Sequence, residues 1–96
     1  MTSRQTCPWY ISAHAVRAYC RLEGLDGERD DHFARAEDEL MAIAEQLALK
    51  TPTRQNNGLL RYRGPKRKRY TYLVSDLAKR PEGDLPQLVD VRPEHA

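Results

Sequence analysis

"LLRYRGPKRKRYTYLVS", Leu59 to Ser75, alternates in character on both sides of a Gly-Pro pair. On the first arm Leu60 and Tyr62 point one way, and Arg61 and Arg63 the other. On the second, Tyr70, Tyr72 and Val74 share a face, with Thr71, Leu73 and Ser75 opposite. A two-residue period flanking a turn predicts two antiparallel strands. The tip between them carries four consecutive cations, Lys66-Arg67-Lys68-Arg69.

Downstream, "LPQLVDVR" predicts a third strand in which Val89 and Val91 face one side. Pro86 cannot donate to a ladder, which places the start of that strand on an edge. Upstream, "SAHAVRAYCRLEG" predicts a helix over Ala13–Glu23. Ser12 is the cap, Val16, Tyr19 and Cys20 form the apolar stripe, and Gly24 is the left-handed stop. In "HFARAEDELMAIAEQLALK" Phe33, Ala36, Leu40, Ile43 or Ala44, and Leu47 step by three and four. That spacing predicts a five-turn amphipathic helix, capped by Asp30 or Asp31 and stopped by Pro52. "TPTRQNNG" reads as a loop, and residues 1–11 as a lead-in whose Trp9, Tyr10 and Ile11 dock on a core.

The expected fold is therefore α+β, in the order ααβββ. Two helices pack on one face of a three-stranded antiparallel meander. The 96 residues make one domain, 1–96, with a frayed tail over 93–96. No apolar run approaches the roughly 20 residues that a membrane helix needs. "MTSRQTCPWY" has no apolar secretory core. With two cysteines and no CxxC motif, a cytoplasmic protein without a disulfide framework is expected. His14, His32, His95, Cys7 and Cys20 lack the spacing of a zinc motif, and no glycine-rich phosphate loop occurs. No metal and no cofactor is expected.

Charge is divided along the chain. Lys50 to Ser75 holds eight cations and no acid, while Glu23 to Glu45 holds nine acids against Arg29 and Arg35. Such asymmetry bears on partners rather than on fold. Edge protection accounts for one or two strand cations but not for so many. Arg61, Arg63, Lys66, Arg67, Lys68 and Arg69, interleaved with Tyr70 and Tyr72, are expected to meet RNA or another phosphate-bearing ligand. The cations would contact phosphates and the rings would stack on bases. The tyrosines have an alternative place in the core. His14, in the first turn of the first helix, is either a structural histidine or a general base.

"ISAHAVRAY" and the terminal "QLVDVR" resemble small bacterial and phage proteins related to RelE-like toxins. These open on a helix of the form Ile-x-x-His-Ala-x-x-Arg, matched here by Ile11, His14 and Ala15, and end in strands that read like "VVTV". The arginine of that pattern would stand at position 18, which is Ala18, with Arg17 and Arg21 beside it. The resemblance implies ribonuclease chemistry, with His14 or His95 as base and Arg92 or Arg61 at the scissile phosphate. Arg63 and Tyr72 would lie on the same surface. The competing reading is a non-enzymatic phage-type inhibitor of a bacterial defence system. It would act by nucleotide sequestration or by binding a host protein, acidic or nucleic-acid-binding, with Glu37, Asp38 and Glu45 as the contact surface.

Overall fold

The computed structural model describes residues 7–65, 69–75 and 85–93. Two helices lie over one face of a five-stranded sheet. The chain enters as β1 (Tyr10–Ile11) and turns at Ser12 into α1 (Ala13–Glu23). The Ser12 hydroxyl accepts the Ala15 amide at 3.1 Å, satisfying one of the amides that a helix start leaves open. Gly24 ends the helix at φ 74°, a conformation that side chains resist, and the Leu25 amide then reaches back to the Cys20 carbonyl. α2 (Asp30–Leu47) follows.

The remaining strands are β2 (Thr53–Arg54), β3 (Leu60–Arg63), β4 (Tyr70–Ser75) and β5 (Gln87–Pro93). The spatial order is β1-β5-β4-β3-β2, antiparallel except where β1 runs parallel to β5. The expected three-stranded antiparallel meander is thus corrected to a five-stranded mixed sheet. The two added strands are two residues long, too short to show a period. β1 falls in the lead-in, and β2 in the stretch read as a loop. β5 lies inside the sheet rather than on its edge, and the Pro86 carbonyl accepts the Tyr10 amide.

Two further expectations change. α2 is preceded by Arg29, whose side chain makes no capping bond. Asp30 and Asp31 instead stand in the first turn, where negative charge suits the helix dipole. Arg29 grips Asp31 through two bonds and holds its carboxyl below the usual range. In β5, Val89 does not share a face with Val91. The ladder pairs Val74 with Leu88 and Leu73 with Asp90, so Val89 is an extra, bulged residue. Leu88 and Val91 consequently both face the core, at 1% and 3% exposure.

The core lies between the helices and this sheet face. Val16, Tyr19 and Cys20 of α1 and Leu40, Ala44 and Leu47 of α2 meet Tyr62, Tyr72, Val74, Leu88 and Val91. Trp9 packs on Tyr62 with ring centroids 4.9 Å apart. Tyr19 stands edge-on to Tyr70 at 6.1 Å, and Tyr70 is tilted against Tyr72. The Tyr19 hydroxyl donates to Glu39 Oε1 of α2 at 2.7 Å, and the Tyr70 hydroxyl to Glu23 of α1.

These phenols hold their protons tightly. Burial and then Glu39 push Tyr19 up, the bond to Glu23 pushes Tyr70 up to about 12, and burial pushes Tyr72 up. A folded pKa above the unfolded one contributes stability that is whole below the unfolded pKa and is lost as pH rises through the folded value. The protein is therefore expected to lose stability from about pH 10, the ordinary phenol value, toward 12. Tyrosinate absorbance should rise together with loss of far-ultraviolet dichroism. Ionisation of all five tyrosines with the dichroism intact would contradict this packing.

Candidate functional site

Because Tyr62 points into the core, its strand neighbours Arg61 and Arg63 point away from the helices, and both are exposed. The register sets them in two rows across the helix-free face. One row runs Arg63, Thr71, Arg92, and the other runs Thr53, Arg61, Leu73, Asp90. Side chains opposite one another in a ladder lie within about 5.5 Å at Cβ, so each row is a contiguous strip of surface.

Two shallow hollows share these residues. The first is lined by Gln55, Asn57, Arg61, Thr71, Leu73 and Arg92, among others. The second is lined by Thr51, Thr53, Arg61, Arg63 and Thr71. Leu73 is only 5% exposed although it faces away from the helix-side core, so it forms an apolar floor under the arginines. The rim is firm. The Arg54 guanidinium donates to the Gly58 carbonyl, the Leu59 amide to Asn57 Oδ1 and the Gln55 amide to the Leu59 carbonyl. Gly58, at φ 89°, supplies the positive φ that this turn requires. The two hollows hold ≈ 190 and ≈ 300 Å³, below and at the lower end of the roughly 300–1,000 Å³ of pockets that engulf small molecules.

On β5, just past the end of its pairing with β1, Asp90 joins this face to the helical layer. Its Oδ2 accepts Arg92 Nε at 2.9 Å, and its Oδ1 accepts the Val91 amide at 2.9 Å. His14 Nε2 of α1 lies 3.4 Å from Oδ1, a close contact rather than a well-formed hydrogen bond. The Asp90 side chain is 19% exposed, and that of His14 is 68% exposed. A histidine, a carboxylate and an arginine thus stand in line, with the arginine opening onto the basic face. The three have the chemistry of a proton acceptor, its orienting group and a phosphate clamp.

The other expected residues fall in different places. Tyr72 is fully buried, and Tyr70 is half-buried with its hydroxyl tied to Glu23. Both rings thus take the place at the core that the sequence reading held open as the alternative to base stacking. Arg69 is exposed at the start of β4. Lys66, Arg67, Lys68 and His95 lie outside the described residues. On α2, Asp38 and Glu45 share a shallow hollow with Met41 and Ala42, on one helical stripe. Glu37 does not line that hollow. His32 Nδ1 accepts the Asp26 amide, a structural role in the turn before α2.

Sequence reasoning missed Asp90, Thr53 and Thr71 as members of this surface. Asp90 has a signal in hindsight, since it is the lone acid between two valines of a strand. Among the described residues no group of three His, Cys, Asp or Glu side chains could hold a metal ion. No helix among them is long and apolar enough to cross a membrane. No protein-family model, no curated protein and no solved structure matches the chain.

If Asp90 restrains Arg92, Asp90→Asn should release positive charge onto the open face. The variant is expected to elute from a heparin column at higher salt than the parent. Its urea unfolding should show a loss of about 1 kcal/mol for the weakened charged hydrogen bond. Elution at equal or lower salt would mean that Asp90 does not hold the arginine back.

Proposed function

We propose that the chain binds nucleic acid, RNA foremost, on the helix-free face of its sheet. One observation carries this reading, the sorting of charge by layer. Arg61, Arg63 and Arg92 share the open face with Thr51, Thr53, Thr71, Gln55 and Asn57. The acids from Glu23 to Glu45 all belong to α1, α2 and the turn joining them. Guanidinium groups with hydroxyl and amide neighbours are the side chains that contact phosphodiester backbones. In the sequence, Lys66 to Arg69 stand between β3 and β4. The shallowness of the hollows supports a polymer lying across the surface over a nucleotide sequestered within it.

A gel-shift titration with a short RNA at 50 and 200 mM salt tests the reading. Neutralising several phosphates makes affinity fall steeply with salt, here by roughly a hundredfold over that range. Arg61→Gln and Arg63→Gln are each expected to weaken binding and to flatten the log–log salt slope by about one. No shift at 50 mM would end the proposal.

The line from His14 through Asp90 to Arg92 favours a second reading, in which the bound RNA is also cut, as the resemblance to RelE-like toxins suggests. In that case His14 would take the proton from the ribose 2′-hydroxyl as its oxygen attacks the adjacent phosphorus, forming a 2′,3′-cyclic phosphate, while the P–O5′ bond breaks and the 5′-oxygen leaves with a proton from water. His14→Ala should then abolish cleavage of a labelled RNA and leave the gel shift unchanged. Intact RNA after long incubation with the parent protein would dismiss this reading and leave binding standing.

A further inference from the structure

The open face lacks what a single-stranded nucleic acid needs. All seven aromatic side chains of the chain lie within the described residues. Trp9, Tyr19, Tyr62 and Tyr72 are buried in the core, and Tyr70 packs against it. Phe33 belongs to α2, where Arg17 lies over its ring, and Tyr10 belongs to β1, at the far edge of the sheet from the arginines of β3. None lines either hollow of the basic face. Proteins that hold single strands recover the cost of ordering a flexible chain by stacking bases on aromatic rings. A face of arginine, threonine, glutamine and asparagine offers no such return.

It offers instead an array of donors spaced by the strands that carry them. Arg61 and Arg63 are two residues apart on β3, a rise of roughly 6.8 Å, and Arg92 lies two strands from Arg63, roughly 9.6 Å away. Fixed donors match fixed acceptors at least entropic cost. A duplex presents its phosphates in fixed positions and at higher density, about one charge per 1.7 Å of axis. The major-groove base edges, which distinguish all four base pairs, stay out of reach of this face. From β2 to β5 the sheet spans about 14 Å between strand axes, wider than the ≈ 12 Å major groove of a DNA duplex, so it cannot enter face-on. The major groove of an RNA duplex is narrower still.

From these observations we infer that the basic sheet face recognises the phosphodiester backbone of double-helical nucleic acid, without reading its sequence. The inference rests on the proposed nucleic-acid binding and narrows its ligand to duplexes. Backbone chemistry is common to RNA and DNA duplexes, and the experiment separates them.

Fluorescence anisotropy at 50 mM salt would compare four labelled 20-residue probes: an RNA duplex, a DNA duplex of the same sequence, the single-stranded RNA and a scrambled duplex. At least one duplex type is expected to bind fivefold or more tighter than the single strand. Its scrambled counterpart should bind within fivefold of it. A single strand that comes within fivefold of both duplexes, or binds more tightly, overturns the inference and leaves nucleic-acid binding intact. A larger effect of scrambling also overturns it. No binding to any probe overturns both. Replacing Arg61, Arg63 and Arg92 together by Gln should weaken duplex binding at least tenfold. Retained affinity in that variant would place the duplex elsewhere and overturn the inference. Arg61→Gln alone, at an exposed position, gives the same test with a smaller loss should the triple variant fold poorly.

Discussion

The inward row of tyrosines is the constraint on which the rest of this structure depends. Tyr62 and Tyr72 are paired across β3 and β4, and Tyr70 follows on the same face. Each brings a large apolar ring and one hydroxyl that needs a partner once it leaves water. The helices supply partners from their own acids. Glu23 accepts from Tyr70, and Glu39 accepts from Tyr19 with one oxygen while Arg35 holds the other. The acids of the helical layer therefore fix where α1 and α2 sit, in addition to keeping the surface soluble. Both bonds run between a neutral donor and a carboxylate at the margin of the core. The rings can be buried without a charge being buried with them, and no charged side chain among the described residues is buried.

The location of the basic surface follows from the same row. In a strand, successive side chains take opposite faces, so fixing Tyr62 inward fixes Arg61 and Arg63 outward. The sheet then separates the two halves of the charge distribution as an apolar partition. The helices and the turn joining them, which hold the nine acids from Glu23 to Glu45, cover one face. The other face has Leu73 as apolar floor and a surrounding set of arginines and hydroxyls. A surface built this way is stiff, because its residues stand on strands whose other face is packed against helices.

Much of this was legible in the sequence where the local pattern was long or chemically specific. The hairpin of β3 and β4 was readable from four and six alternating residues, and α1 from Ser12 and Gly24, whose capping roles require those residue types. The failures have physical causes. Tyr10–Ile11 and Thr53–Arg54 become strands only because β5 and β3 lie beside them, and a two-residue strand has no periodicity of its own. A tyrosine is amphipathic, so alternation could show that the rings share a face but not whether that face meets the helices or a ligand. That choice is made by Glu23 and Glu39, which approach from distant parts of the chain. Asp90 was passed over because its neighbours in space, His14 included, are set by the register of β5 and the entry of α1 rather than by adjacency.

The bulge at Val89 shows how a single residue decides what the open face contains. Under strict alternation from the inward Leu88, positions 90 and 92 would also face the helices, and Val91 would face solvent. Asp90 and Arg92 would then be driven into a core, at a cost of several kcal/mol for charges removed from water even as a pair. One extra residue opposite β4 reverses the phase. Val91 turns inward beside Tyr72, and Asp90 and Arg92 turn out to join Leu73 and Thr71 in their rows. The same irregularity falls just where β1 stops pairing, at Leu88, so the edge beside Asp90 is left open for His14 to approach from α1. The segment "LVDVR" reads as a poor central strand only if its period is assumed unbroken. With the bulge, both valines flanking Asp90 need not share a face, the apolar positions match the core, and the one arginine of β5 stands in line with those of β3.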